Sequence, residues 1–328
     1  MKKDARQLRN LLEEVLDSIL KNREIGVMLS GGLDSSALAC ILLQKGRTIR
    51  SISSSFKRFP MYDETEYVET IKEKYPKLET NYITPLDINL LKELKDLIGI
   101  IKEPITSGSF LLQYLIMKKA KELGMKNLIY GQWGDELMGG YDNFLVSKAR
   151  DDFLHLKVSD AIVNIREYVQ RSKMVGTDLI SLRIIKHLAT SKGLRVDLNR
   201  SIPILEHLID IAQKTAKALE INLILPYGDP KIIEFCQSLN PDRLVYRGQT
   251  KIILREAIAD TLPEGILKRK TKFGFFAPDN IWLLKNKREI ENLDNKIVRK
   301  EYRKFLRSPK KRYYKKLWIA LSNIFISG

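Results

Sequence analysis

Hydrophobic and polar positions along the first 150 residues alternate between two periods. Short β-prone runs at Ile25 to Leu29, Thr48 to Ser54, Thr80 to Ile83 and Asn127 to Tyr130 predict strands, and the stretches between them repeat apolar residues at helical spacing. Helices are predicted at Ser35 to Gln44, Glu64 to Lys74, Ile88 to Ile98 and Ser109 to Leu123, with Gly46 and Gly124 as C-terminal stops. Strands alternating with helices imply an α/β fold, a parallel sheet with helices on both faces. Met1 to Asn22 reads as a charged amphipathic helix, and from about residue 145 the pattern is almost wholly helical. No Gly/Ser-rich linker separates the two halves. We therefore expect an N-terminal helix over 1–23, a sheet core over 24–145, and a helical lobe over 146–328 that packs on the core and completes its site.

Composition narrows the class. With 44% hydrophobic and 8% aromatic residues, the 328-residue chain has ample material for a packed core. Its two cysteines, Cys40 and Cys236, fall inside apolar helical patterns, which excludes a disulfide framework or a Cys-rich metal site. His155, His187 and His207 lack metal-ligand spacing. No secretory pattern opens the chain and no uncharged apolar stretch is long enough to cross a bilayer, so a cytoplasmic protein without a membrane partner is expected. The net charge is +17, of which residues 285–316 carry +10, from 14 Lys or Arg against 4 Asp or Glu. That stretch could dock a nucleic acid or another polyanion. The favoured reading is a solvated helical face, because Leu293, Ile297, Phe305, Leu317 and Trp318 interleave its charges as in a packed helix.

Candidate chemistry gathers at two strand ends. Residues 25 to 36, Ile-Gly-Val-Met-Leu-Ser-Gly-Gly-Leu-Asp-Ser-Ser, join an apolar strand to a helix through a Gly-bearing turn. Gly31 and Gly32 let backbone approach an anion, and the amides of the next helix attract negative charge. The run is a phosphate cradle by this reading, and a strand-turn-helix corner with incidental glycines by the plainer one. No Lys follows the glycines as in a phosphate-transferring P-loop; Asp34 does, a natural Mg²⁺ ligand beside a polyphosphate. Ligands bind beyond the carboxyl ends of parallel strands, so the Ser30 loop, the Ser53 to Ser55 end and the Tyr130-Gly131 end should face one pocket. Residues 130 to 141 read Tyr-Gly-Gln-Trp-Gly-Asp-Glu-Leu-Met-Gly-Gly-Tyr. The adjacent Asp135 and Glu136 either cap a helix or share a cation with Asp34.

These two motifs together resemble the synthetase domain of asparagine synthetases and their β-lactam-, carbapenam- and lasso-peptide-forming relatives. The resemblance extends through Tyr62 to Tyr67, Glu103-Pro104, Leu225-Pro226-Tyr227-Gly-Asp229, Gly248-Gln-Thr-Lys251 with Leu254-Arg255-Glu256, Lys272 to Phe275 before Pro278, and Leu317-Trp318. It covers nearly the whole chain from about residue 24. It implies an adenine nucleotide α-hydrolase-like fold, an ATP-binding pyrophosphatase-loop core over 24–145, and an ATP-dependent, AMP-forming amide ligase. ATP and pyrophosphate would then be held by Leu29, Ser30, Gly31, Gly32, Asp34, Ser35, Ser36, Ser54, Tyr130 and Gly131. Mg²⁺ would be held by Asp34 and Asp135, with Glu136 a further contributor. Lys251 would steady charge in both transition states, and Lys272 matches a second family position after a one-residue shift.

Departures from the family bear on the substrate. Gln132 stands where asparagine synthetases have Glu and the lactam-forming branch has Tyr, and a neutral amide cannot take a proton near neutral pH. Trp133 replaces the usual Gly, and the family arginine before the Pro226 position is not found, so recognition of aspartate does not carry over. Glutamine-using members open with a Cys nucleophile and a glutaminase domain, whereas here Lys2 follows Met1 and the ATP loop comes by residue 30. The expected partners are a small-molecule carboxylate and ammonia or another amine, or ammonia from a separate glutaminase subunit. Two alternatives stand beside this one: a nucleic-acid-modifying enzyme gripping RNA through 285–316, and an ATP-binding regulatory subunit.

Overall fold

The computed structural model describes residues 2–20, 24–60, 62–174, 180–270, 277–307 and 311–326. Helix α1 (Lys3–Leu20) leads into β1 (Gly26–Met28), α2 (Leu33–Gln44), β2 (Ile49–Ser54), α3 (Thr65–Lys74), β3 (Leu78–Ile83), α4 (Leu90–Ile101), α5 (Gly108–Glu122) and β4 (Asn127–Ile129). Then follow α6 (Gly134–Met138), α7 (Asn143–Leu154), α8 (Val158–Met174), α9 (Ile180–Thr190), α10 (Leu194–Ala218) and β5 (Asn222–Ile224). Helix α11 (Pro230–Ser238) precedes a small hairpin, β6 (Val245–Tyr246) and β7 (Gln249–Thr250), and α12 (Ile252–Ala257). The chain closes with α13 (Glu264–Leu267), α14 (Asp279–Lys285), α15 (Lys287–Asn292), α16 (Lys296–Arg307) and α17 (Lys311–Ile326).

The main sheet is all parallel in the order β3-β2-β1-β4-β5, with Gly26 paired to Arg50 on one side and to Leu128 on the other. Side chains alternate across it as a pleat requires. Val27, Leu29 and Ile129 enter one apolar cluster with α1, α2, α11 and α12, while Met28, Ile52, Leu128 and Tyr130 enter another with α4, α5, α14 and α17. Helix α2 is buried from Leu33 through Leu43, which suits its nearly continuous apolar sequence. The four predicted strands and the helices between them are present with ends moved by at most three residues. Beyond 145 the described chain is helix-rich as expected, with two additions that the pattern did not show. Strand β5 completes the sheet, pairing Asn222 with Asn127, and the β6–β7 hairpin follows. Three residues, Asn-Leu-Ile, at a sheet edge shortly after a 25-residue helix carry too little periodicity to stand out.

Cys40 and Cys236 are both buried free thiols, pushed up to about 12 by burial. In the basic stretch, Val298, Tyr302 and Phe305 are buried, as are Leu317 and Trp318. Ile297, expected to pack, is exposed because Val298 takes the inward position on α16. No described helix is long and apolar enough to cross a membrane.

Candidate active site

Strand β1 has β2 on one side and β4 on the other, so the crevice beyond its carboxyl end lies at the sheet's switch point. The Ser30 loop opens there. Ser30 Oγ lies 3.1 Å from Ser35 Oγ and accepts from Gly32 N at 3.3 Å, while Ser35 Oγ accepts from Ser30 N at 3.2 Å. The N-cap of α2 is Gly32, which offers no side chain to the first-turn amides. Ser36 Oγ is fully buried and has no hydrogen-bond partner among the described residues. Gly131 closes on this helix end, since a Cβ there would sit 3.1 Å from Ser35 N. The backbone carbonyl of Leu29 accepts from Ser53 Oγ at 2.6 Å, and Ser54 ends the neighbouring strand.

Three distant segments converge on one ammonium. Lys251 follows the β6–β7 hairpin in a left-handed conformation (φ 56°). Its Nζ donates to both carboxylate oxygens of Asp34 at 2.5 Å and lies 2.5 Å from Asp135 Oδ1. Asp34 sits in the first turn of α2 and Asp135 in the first turn of α6. All three are buried, so the two carboxylates and the ammonium meet out of bulk water. Glycines make this approach possible. A Cβ on Gly134 would lie 2.7 Å from Asp34 Oδ1, and one on Gly140 would lie 1.9 Å from Asp135 Oδ1 and 2.2 Å from Lys251 Cε. Two hard carboxylates beside a loop of amides and hydroxyls fit Mg²⁺, which binds through one or two carboxylates together with substrate phosphates.

The other candidates fall on different sides of this cluster. Glu136 accepts a short hydrogen bond from the Tyr141 hydroxyl, so its side chain is turned toward Tyr141. Gln132 Nε2 donates to the Tyr130 hydroxyl at 3.0 Å. Trp133 is left-handed (φ 78°) at the N-cap of α6. Lys272 lies outside the described residues.

Three groups that sequence reasoning did not single out support the loop. Arg269 pairs with Glu64, donates to the Gly31 carbonyl at 3.3 Å and stacks 4.0 Å from the centre of the Tyr67 ring. Tyr227, fully buried, donates to the Asp34 carbonyl at 3.1 Å; burial and then the nearby Asp34 charge hold its phenol protonated. Arg255 is lowered to about 10 by burial and donates to the carbonyls of Thr250, Leu267 and Arg269. Tyr227 and Arg255 fell within resembling motifs, whereas Arg269 sits in a Lys-Arg-Lys run that reads as surface.

Comparison with known proteins gives the family. The asparagine synthase family profile matches residues 7–318. The chain belongs to that family. Asparagine synthetase [glutamine-hydrolyzing] 1 of Bacillus subtilis (strain 168) is 21% identical over 323 residues, covering 83% of this chain and 50% of that protein. A probable asparagine synthetase [glutamine-hydrolyzing] of Acanthamoeba polyphaga mimivirus is 24% identical over 267 residues, 79% of this chain and 40% of its own. The Asparagus officinalis asparagine synthetase [glutamine-hydrolyzing] is 27% identical over 169 residues, 46% of this chain and 27% of its own. The chain thus spans half or less of the length of these relatives, and the family assigned on motifs is the one the match gives.

Proposed function

We propose that this chain is an ATP-dependent, AMP-forming carboxylate amide ligase of the asparagine synthetase type. The observation that carries the reading is the buried convergence of Lys251 with Asp34 and Asp135 beside the Ser30 loop. A substrate carboxylate oxygen would form a bond to the α-phosphorus of ATP as the bond to pyrophosphate breaks. Amides and hydroxyls of Ser30, Gly31, Gly32, Ser35 and Ser36 would receive the leaving pyrophosphate, and Leu29, Ser54, Tyr130 and Gly131 would line the nucleotide. Asp34 and Asp135 would hold Mg²⁺, which when bound neutralises phosphate charge. Lys251, desolvated between them, would hold charge on the α-phosphate. An amine nitrogen would then form the amide C–N bond as the C–O bond to AMP breaks, and one proton leaves nitrogen. Gln132 can orient that amine by hydrogen bonds but not take its proton. Free ammonia, a supplied amine and ammonia from a separate glutaminase subunit are the nitrogen sources this reading admits.

The test is pyrophosphate release from ATP and Mg²⁺ across a panel of carboxylic acids. We expect release that depends on one acid and falls about 100-fold or more in Asp34→Asn. Measurable ATP binding with no release for any acid would falsify the proposal.

A further inference from the structure

Beside the Asp34–Lys251–Asp135 cluster the fold leaves a cleft of about 360 Å³ between α10 and the turns that follow β4 and β5. Trp133, Leu225 and Gly228 line it from the turns, and Glu206, Asp210 and Gln213 line it from α10. Two of these residues neighbour groups that touch Asp34. Trp133 precedes Gly134, whose Cβ position lies 2.7 Å from the Asp34 carboxylate, and Gly228 follows Tyr227, which donates to the Asp34 carbonyl at 3.1 Å. Gly228 also lets the indole close in, since a Cβ there would lie 2.9 Å from Trp133 Nε1. The cleft therefore borders the reaction centre.

Its charge is opposite to that of the chain. In a protein of net charge +17, the described lining holds two carboxylates and no Lys or Arg. Glu206 makes no ion pair among the described residues. Asp210 is paired with Lys214 at 2.6 Å, and Lys214 is itself shared with Glu103 at 3.5 Å. Glu206 and Asp210 are four apart on one helix, a spacing at which like charges repel and a cation placed between them relieves the repulsion. A dicarboxylate such as aspartate would meet the Glu206 charge with no Lys or Arg among the described lining residues to receive it.

Resting on the amide-ligase reading, we propose that this cleft takes the nitrogen nucleophile as a short alkyl diamine. One end, as ammonium, sits against Glu206 and Asp210; the stem crosses the Trp133 ring; and the other nitrogen, as free amine, reaches the reaction centre. That nitrogen forms the C–N bond as the C–O bond to AMP breaks and gives up one proton to water, while the distal ammonium keeps its charge throughout.

Trp133 offers a direct readout, because the other two tryptophans, Trp282 and Trp318, are fully buried. The experiment titrates 1,4-diaminobutane, butylamine, ammonium chloride and aspartate into the full chain and follows tryptophan emission, with Trp133→Phe to assign the signal. We expect a saturable change with 1,4-diaminobutane, at least ~10-fold weaker binding in the Glu206→Gln/Asp210→Asn double variant and weaker binding of butylamine, and none with aspartate. Both substitutions are isosteric and lie on an exposed helix face, so folding is kept. No saturable change with 1,4-diaminobutane, or equal affinity in the double variant, overturns the proposal. Pyrophosphate release measured on the same preparation separates the two readings. Acid-dependent release without diamine binding overturns the cleft alone, and diamine binding without release for any acid overturns the ligase alone.

Discussion

A Cβ on Gly140 would stand 1.9 Å from Asp135 Oδ1 and 2.2 Å from Lys251 Cε, far inside the separation at which atoms attract. Alanine there must displace the carboxylate or the lysine by an ångström or more, and misplacement on that scale costs about 100-fold in rate. We expect Gly140→Ala to keep its far-UV circular dichroism and to lose pyrophosphate release about 100-fold; a near wild-type rate would show that Lys251 does not act where it sits. Adjacent Asp135 and Glu136 look equivalent in the sequence. Successive side chains on a helix diverge by about 100°, and here one reaches Lys251 while the other meets Tyr141. That divergence could not be read without knowing where α6 begins. Arg269 was hidden for another reason. A Lys-Arg-Lys run is usually solvated, and only the packing of the chain after α13 against Tyr67 buries its middle member.

At the scale of elements, the position of Lys251 is set by a hairpin too short to hold itself. Strands β6 and β7 are two residues each, and a two-stranded hairpin has little stability alone. Helix α8 supplies what is lacking. Asn164 Oδ1 accepts from Gly248 N at 2.7 Å, and Arg171, also tied to Glu167 and Asp142, donates to the Gly248 carbonyl at 2.8 Å. Both α8 side chains are buried, so they are positioning residues for a lysine three positions along. Asn164→Leu should cost about 1–3 kcal/mol of stability through the orphaned Gly248 amide. It should also lower kcat about 10-fold with the KM for ATP little changed, because the lysine is loosened while the nucleotide loop is untouched. A change confined to thermal unfolding, with kcat intact, would reduce Asn164 to a structural role. The strands that build the phosphate loop were legible because each is an apolar run between turn residues. Strand β5 was not, since its pairing partner, Asn127–Ile129, lies in distant sequence, and the hairpin was not, since strands of two residues each carry no period.

Across the whole molecule, the first helix is joined to the segments that carry the site. Arg243 donates to both Asp4 on α1 and Glu256 on α12. The hydrogen bond from Arg243, then its charge, holds the Glu256 carboxyl below its ordinary 4.5 against a smaller opposing effect of burial. A carboxyl lowered by folding stabilises the native state above its unfolded value, and that stability is lost as pH falls through the folded value. Asp4 shifts in the same direction: burial raises it, and the hydrogen bonds from Arg243 and the Ala5 amide overcome that effect. Unfolding midpoints should therefore fall as pH drops below about 4.5, with the chain's rising positive charge adding to the loss. Glu256→Gln should cost about 1 kcal/mol at neutral pH, because the pair is partly exposed, and should flatten part of the acid slope. Thermal melts of both proteins from pH 7 to pH 3 decide the matter. Parallel curves would mean that α1 is held only by the burial of Ala5, Leu8, Leu12, Val15 and Leu16 against the core. The ion pair would then orient the helix without contributing to the acid dependence of the fold.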